Sequence, residues 1–204
     1  MLHRIKAFWK GYVASIPKPD EEQLEPDGRI IREDFPSEAH SQATVDAYRR
    51  LAAILTGHLH SDDREKAEKR LLAKLKPGVD PEEALARWIN QSFELKGVNW
   101  GTMQLDWKAT EEVHWQATRL LKSHSIPITW EYNYKDDSRA ASAWSRGEIP
   151  IDSPLDSFAQ SLGKASYTLF RFSPYDGVFA FAVKNAESEV VSELLEILRI
   201  RHQK

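Results

Sequence analysis

The stretch Tyr167–Val183, YTLFRFSPYDGVFAFAV, contains the clearest β-structure signal in the chain. Its two runs, 167–172 and 178–183, are rich in aromatic and β-branched residues, which favour strands. Between them, Ser173–Gly177 supplies proline, aspartate and glycine, which are typical of turns. The stretch therefore predicts a β-hairpin, and the leucine and valine spacing that follows predicts a closing helix.

The segment before the hairpin alternates between strand patterns and helix patterns. Residues 98–107 and 126–134 predict strands, whereas 110–124 and 155–165 have the apolar spacing of helices. From residue 98 to 204 the predicted order is thus β-α-β-α-β-β-α. This order predicts an α+β fold, in which a mostly antiparallel four-stranded sheet carries its helices on one face.

The first 97 residues predict a separate helical region. Residues 2–16 have an amphipathic pattern, and the connector 17–42 contains four prolines, which exclude a continuous helix. Three helices separated by short turns are predicted within 43–97. The predicted regions are therefore 1–97 and 98–204.

Composition narrows the possible functions. The 204 residues carry a formal net charge of -3 and include no cysteine. The charge argues against non-specific nucleic-acid binding, and the missing thiols exclude disulfides and cysteine nucleophiles. No apolar run is long enough to predict a membrane span, and charges interrupt 2–16 too often for a secretory signal. We therefore expect a cytoplasmic protein, and its oligomeric state stays open.

Alternation along the predicted strands assigns one polar face to the sheet. If the large apolar residues face the helices, a set of polar residues faces away. The loop 135–153 borders this face and is rich in the residue types that dominate interfaces. The predicted partner-binding residues are Gln104, Asp106, Glu131, Asn133, Tyr134, Arg139, Trp144, Arg146 and Arg171. The alternative is a solvated face with cross-strand ion pairs, with Trp144 folded into the core.

The seven tryptophans are expected mainly in the core. Trp88, Trp107, Trp115 and Trp130 lie where a buried stripe would place them. Their number therefore favours packing over binding, because a large aromatic buries much area.

Two segments partly match known metal-binding motifs. The stretch Thr56–Asp63, TGHLHSDD, resembles the histidine-rich signature of the metallo-β-lactamase superfamily, with His58, His60 and Asp62 as ligands. The last histidine of that signature is Asp63 here, and the preceding segment is helical in period. The other interpretation is a helix–helix turn in which Asp62 caps the second helix.

Asp106 and Glu131 form the second near-match, to a divalent-metal nuclease. Asn133 stands where that motif requires a lysine. A metal-dependent hydrolase or nuclease is therefore an alternative function. We predict no catalytic residue and no cofactor.

A resemblance favours a binding function. The stretch MQLDWK at Met103–Lys108, the acids Glu111 and Glu112, and FAFAV at Phe179–Val183 resemble an uncharacterised bacterial family of small cytoplasmic α+β proteins. The resemblance covers about residues 98–200 and implies no catalytic residues. The chain is also similar in build to immunity proteins, which block a toxin's active site.

This similarity of build implies a protein partner, such as a toxin, bound through the outer sheet face and loop 135–153. A second alternative is a membrane-surface adaptor that binds through helix 2–16.

Overall fold

The computed structural model describes residues 39–94, 100–106, 111–133, 151–174 and 177–204. All of them lie in the compact unit Glu38–Lys204. The predicted helix 2–16, residues 17–38 of the connector 17–42 and residues 135–150 of loop 135–153 lie outside these ranges. No helix among the described residues is long and apolar enough to cross a membrane.

Three helices come first, as the sequence predicts: α1 (Gln42–Thr56), α2 (Ser61–Leu72) and α3 (Pro81–Glu94). The Ser41 hydroxyl caps α1 by accepting the Thr44 N–H at 3.1 Å. At α2 the cap position is His60, so Asp62 lies inside the first turn and is not the cap. There its charge interacts favourably with the helix dipole.

The remaining elements form an α+β arrangement. In chain order they are β1 (Thr102–Asp106), α4 (Glu111–Ser123), α5 (Asp152–Lys164), β2 (Tyr167–Phe172), β3 (Gly177–Lys184) and α6 (Asn185–Ile197). The described residues thus form six helices and one antiparallel sheet of three strands, in the order β1-β3-β2. The predicted hairpin is β2 and β3.

The prediction of a strand at 126–134 is wrong for the described residues 126–133, so the described sheet has three strands and not four. Residues 126–133 form no strand, although Ile126 and Trp130 are buried. Pro127 has no N–H to donate, and the Ile128 N–H donates locally to the Ile126 carbonyl at 2.9 Å. The alternation here comes from side-chain packing and not from strand pairing.

The expectation of helices on one face is also wrong. One face of the hairpin presents Phe170, Phe172, Phe179 and Phe181, which pack with α1, α2, α3 and α6 in a first core. On the other face, Leu169, Ala180 and Ala182 pack with α4 and α5 in a second core, and Met103 and Leu105 join them. Both faces of the hairpin are apolar, so both require a helical layer.

The first core joins the two regions that the sequence separates at residue 97. Tyr48 and Leu51 of α1 lie in one cluster with Leu194 and Leu195 of α6. Trp88 of α3 donates its indole N–H to the Ala67 carbonyl at 3.1 Å and thereby ties α3 to α2. The three early helices are therefore a layer on the sheet and do not have a separate core.

Candidate functional site

The pairing register divides the predicted sheet-face residues between two faces. Gln104 pairs with Phe179, so it shares the phenylalanine face, and Asp106 lies on the same face two residues on. Met103 pairs with Ala180, and Arg171 also pairs with Ala180. Arg171 therefore lies on the opposite face from Gln104 and Asp106, and the single polar outer face that the sequence predicts does not exist.

Arg171 is used inside the fold. Its side chain is buried beside α5, where Nη1 lies 2.9 Å from Oδ1 of Asp156. Its backbone N–H and carbonyl both pair with Gln203 of the C-terminal tail. A buried guanidinium needs such a partner, because an unpaired buried charge is strongly destabilising. Arg171 therefore holds α5 and the tail and is removed from the candidate surface.

The other predicted site residues lie beside α4 or outside the described ranges. Glu131 and Asn133 are exposed, whereas the adjacent Trp130 is buried and Tyr132 is half-buried. Four of the loop residues lie in a range that the structure does not describe: Tyr134, Arg139, Trp144 and Arg146.

The outward side of α4 carries an exposed tryptophan. Trp115 is 42% exposed, and the Arg119 guanidinium carbon lies 5.2 Å from its ring centroid. A cation at this distance over an indole is attracted by the electrons of the ring. The expectation that Trp115 belongs to the core is therefore wrong.

The helical period explains this outward position. Val113, Ala117 and Leu120 are buried on the inward side of α4. At 3.6 residues per turn, Trp115 is rotated by about 200° from Val113. The helical spacing of these three buried residues is therefore the sequence signal that places Trp115 on the outward side of α4.

An aromatic row continues the exposed side of α4 into residues 130–132. The exposed His114 ring lies 6.1 Å from the Trp130 ring, and Trp130 lies 6.2 Å from Tyr132. These contacts place the exposed Glu131 beside α4. We define the α4 surface as His114, Trp115, Arg119, Glu131 and Asn133.

A pair of carboxylates lies at the other end of α4. Burial, and then the negative charge of Asp106, raises the pKa of the Glu112 carboxyl. The amide of Gln116 opposes this rise through its hydrogen bond to Glu112. Two close acids suggest a cation, but no group of three or more metal-binding side chains exists within the described ranges.

The predicted metal ligands after α1 point to different places. His58 turns inward and stacks on His124, with ring centroids 3.7 Å apart, while His60 and Asp62 are exposed. The described residues, which include all three predicted ligands, contain no group of three or more metal-binding side chains. The proposed set His58, His60 and Asp62 is therefore not assembled.

The histidine pair joins distant parts of the chain. His58 shares a hydrogen bond of 3.1 Å with the Ser123 hydroxyl, and His124 contacts the Gly101 carbonyl at 3.3 Å. Gly101 has φ +67, and a Cβ there would lie 2.6 Å from His124 Nε2, so only glycine fits. The sequence could not reveal this pair, because its members are far apart in the chain.

The pair lacks the properties of a nucleophile–base dyad. Burial, and next the charge of His124, lowers the pKa of His58 to about 3, and burial lowers that of His124 to about 4. A general base works best with a pKa near the operating pH. A base with so low a pKa would activate Ser123 poorly, so we interpret the cluster as structural.

Comparisons with protein-family models, with curated proteins and with solved structures find no match to this chain.

Proposed function

We propose that this protein is a non-catalytic protein-binding domain, and that the α4 surface contacts its partner. The observation that carries the proposal is the exposed Trp115 ring with Arg119 against it. Tryptophan and arginine are the residue types most often responsible for interface affinity. An exposed indole also gains the most from burial against a partner, because it removes a large apolar area from water.

The charges around Trp115 indicate the kind of partner. Arg119 and the exposed Lys122 lie on the same helix, so we expect the partner to present carboxylates beside an apolar pocket that receives Trp115. Glu131 and Asn133 would lie at the rim. Loop 135–153 begins two residues after Asn133 in the sequence and stays part of the proposed binding region.

The similarity of build to immunity proteins supports a toxin as the partner class. An immunity protein blocks a toxin's active site by binding it, so it requires a folded scaffold with an accessible recognition surface. The two-core fold supplies such a scaffold, and α4 presents its aromatic residues on the outside. The resemblance to the uncharacterised bacterial family stays a prediction.

The test compares Trp115→Ala with a matched exposed apolar residue. Ile197 on α6 is 51% exposed and is the other large exposed hydrophobic among the described residues. A partner that co-purifies from native cells is first identified and purified, and its Kd is then measured for each variant. Trp115→Ala should weaken binding about 30-fold, and Ile197→Ala should leave the Kd unchanged.

A cell-growth assay tests the immunity role separately. If the partner is toxic when expressed, co-expression of the wild type should restore growth and Trp115→Ala should not. Equal loss of affinity in both variants, or unchanged affinity in Trp115→Ala, would remove the α4 surface from the proposal.

A further inference from the structure

A cleft of about 240 Å³ lies between the end of α2, the loop that follows it and α3. Its walls come from the two helices, so it is part of the folded scaffold. The cleft is lined by Arg70, Ala73, Lys74, Lys76, Arg87 and Gln91. Four of these six side chains carry a positive charge, although the whole chain is slightly acidic.

Most of this charge has no counter-charge in the described part of the chain. Glu83 pairs with Arg87, four residues away on α3. By contrast, Arg70, Lys74 and Lys76 have no carboxylate within 4 Å among the described residues. The C-terminal carbonyls of α2 attract Arg70, but Lys76 and Arg87 lie beyond that helix. Converging like charges repel, and a bound anion would relieve that repulsion.

Gln91 adds an independent polar signal. Gln91 lines the cleft, and its Oε1 atom is buried and has no hydrogen-bond partner. A buried polar atom left unpaired is costly, and that cost is relieved if the carboxamide turns so that its oxygen meets a molecule bound in the cleft. Because half a turn of the carboxamide exchanges its oxygen and its NH2 group, Gln91 can either accept from or donate to that molecule.

We propose that this cleft binds a small phosphate-bearing anion. Arginine donates two parallel hydrogen bonds to phosphate oxygens, and lysine adds a mobile point charge. The volume of the cleft is smaller than that of sites for drug-sized ligands, which is roughly 300 to 1,000 Å³. The cleft therefore suits a single phosphate group, free or on a short ester. None of the lining residues belongs to the α4 surface, so this site is independent of the proposed partner site.

The test is a titration of the full chain followed by nuclear magnetic resonance at constant ionic strength. The probes are inorganic phosphate and glycerol 3-phosphate. The backbone amides of Ala73, Lys74 and Gln91 should shift saturably. Equal affinity for the two probes identifies free phosphate as the ligand, and tighter binding of the ester identifies a small phosphate ester.

Two double variants with the same loss of charge give a matched control. Arg70→Gln with Lys74→Gln should weaken binding by about tenfold or more, because it removes charge-assisted hydrogen bonds. Lys66→Gln with Lys69→Gln changes exposed residues of α2 outside the cleft and should alter the Kd by less than about twofold.

A third variant tests the geometry rather than the charge. Gln91→Leu keeps the net charge and should also weaken binding by several fold. Equal weakening by the two double variants would show attraction by overall charge and overturn the site. The same conclusion follows if no saturable shift occurs at the three amides, or if Gln91→Leu and the cleft double variant both retain full affinity.

Discussion

Tyr48 shows how a single residue can carry a stability cost inside a well-packed core. Its side chain is fully buried in α1 at 0% exposure, and its hydroxyl has no hydrogen-bond partner. Burial raises the pKa of this hydroxyl far above its usual range. The ring contributes favourably to the first core, while the hydroxyl loses its hydration without replacement.

We predict that Tyr48→Phe raises the free energy of unfolding by about 1 kcal/mol, because the ring stays and the unpaired hydroxyl is removed. Urea unfolding followed by tryptophan fluorescence measures the change. The half-buried Tyr167 is the control, and Tyr167→Phe should change stability by less than about 0.5 kcal/mol. A destabilised Tyr48→Phe would show that the hydroxyl is satisfied in solution.

At the scale of elements, strand β1 has its open edge closed by a side chain. Gln116 of α4 is 1% exposed, and its side-chain amide bonds to the β1 backbone as a neighbouring strand would. Its Oε1 accepts the Gln104 N–H at 2.7 Å, and its Nε2 donates to the Gln104 carbonyl. An unprotected strand edge invites pairing with another chain, and this contact prevents it at the centre of β1.

We predict that Gln116→Leu lowers the free energy of unfolding by about 2 kcal/mol, because it leaves both backbone groups of Gln104 without partners. Hydrogen exchange of the Gln104 amide should become faster. Thr118→Ala, on the exposed side of the same helix, controls for helix effects and should leave that exchange rate unchanged. An unaltered Gln104 rate in Gln116→Leu would contradict the edge-closing role.

Element boundaries were predictable where short-range chemistry decides them. The helix α3 begins at Pro81 after Asp80, whose carboxylate accepts the Glu82 N–H at 2.8 Å, and strands β2 and β3 flank the segment in which proline and aspartate predict a turn. Residues 126–133 were not predictable in this way, because their alternation is compatible both with a strand and with an extended segment packed against a core. Strand pairing depends on a neighbour that the local sequence does not specify.

At the scale of the whole molecule, the His58–His124 pair makes stability depend on pH. The pair connects the loop after α1, Gly101 just before β1 and the end of α4, and Tyr167 packs edge-on against His124. Both folded-state pKa values, about 3 and about 4, lie below the unfolded value of about 6.5. Between about pH 4 and about pH 6.5, the unfolded chain therefore binds more protons than the folded chain.

We therefore predict that the free energy of unfolding is highest above about pH 6.5 and falls as the pH drops toward about 4, by up to about 1.4 kcal/mol per pH unit for each histidine. Urea unfolding at a series of pH values measures the slope. His124→Gln should reduce the slope by about half, and His60→Gln, at an exposed position, should leave it unchanged. A wild-type slope in His124→Gln would contradict the role of the pair.

The sequence by itself determined the α+β class, the six described helices and the β2–β3 hairpin. Those features depend on contacts between residues that are close in the chain: helical periodicity, capping side chains and turn residues.

Only the tertiary structure decided the pairing register, the second helical layer, the exposure of Trp115 and the stacking of His58 on His124. Each of these depends on segments far apart in the chain, whose relative positions are set by burying both faces of the hairpin at once. A shift of β1 by one residue would move Gln104 to the face on which Arg171 lies, and no local pattern distinguishes the two registers.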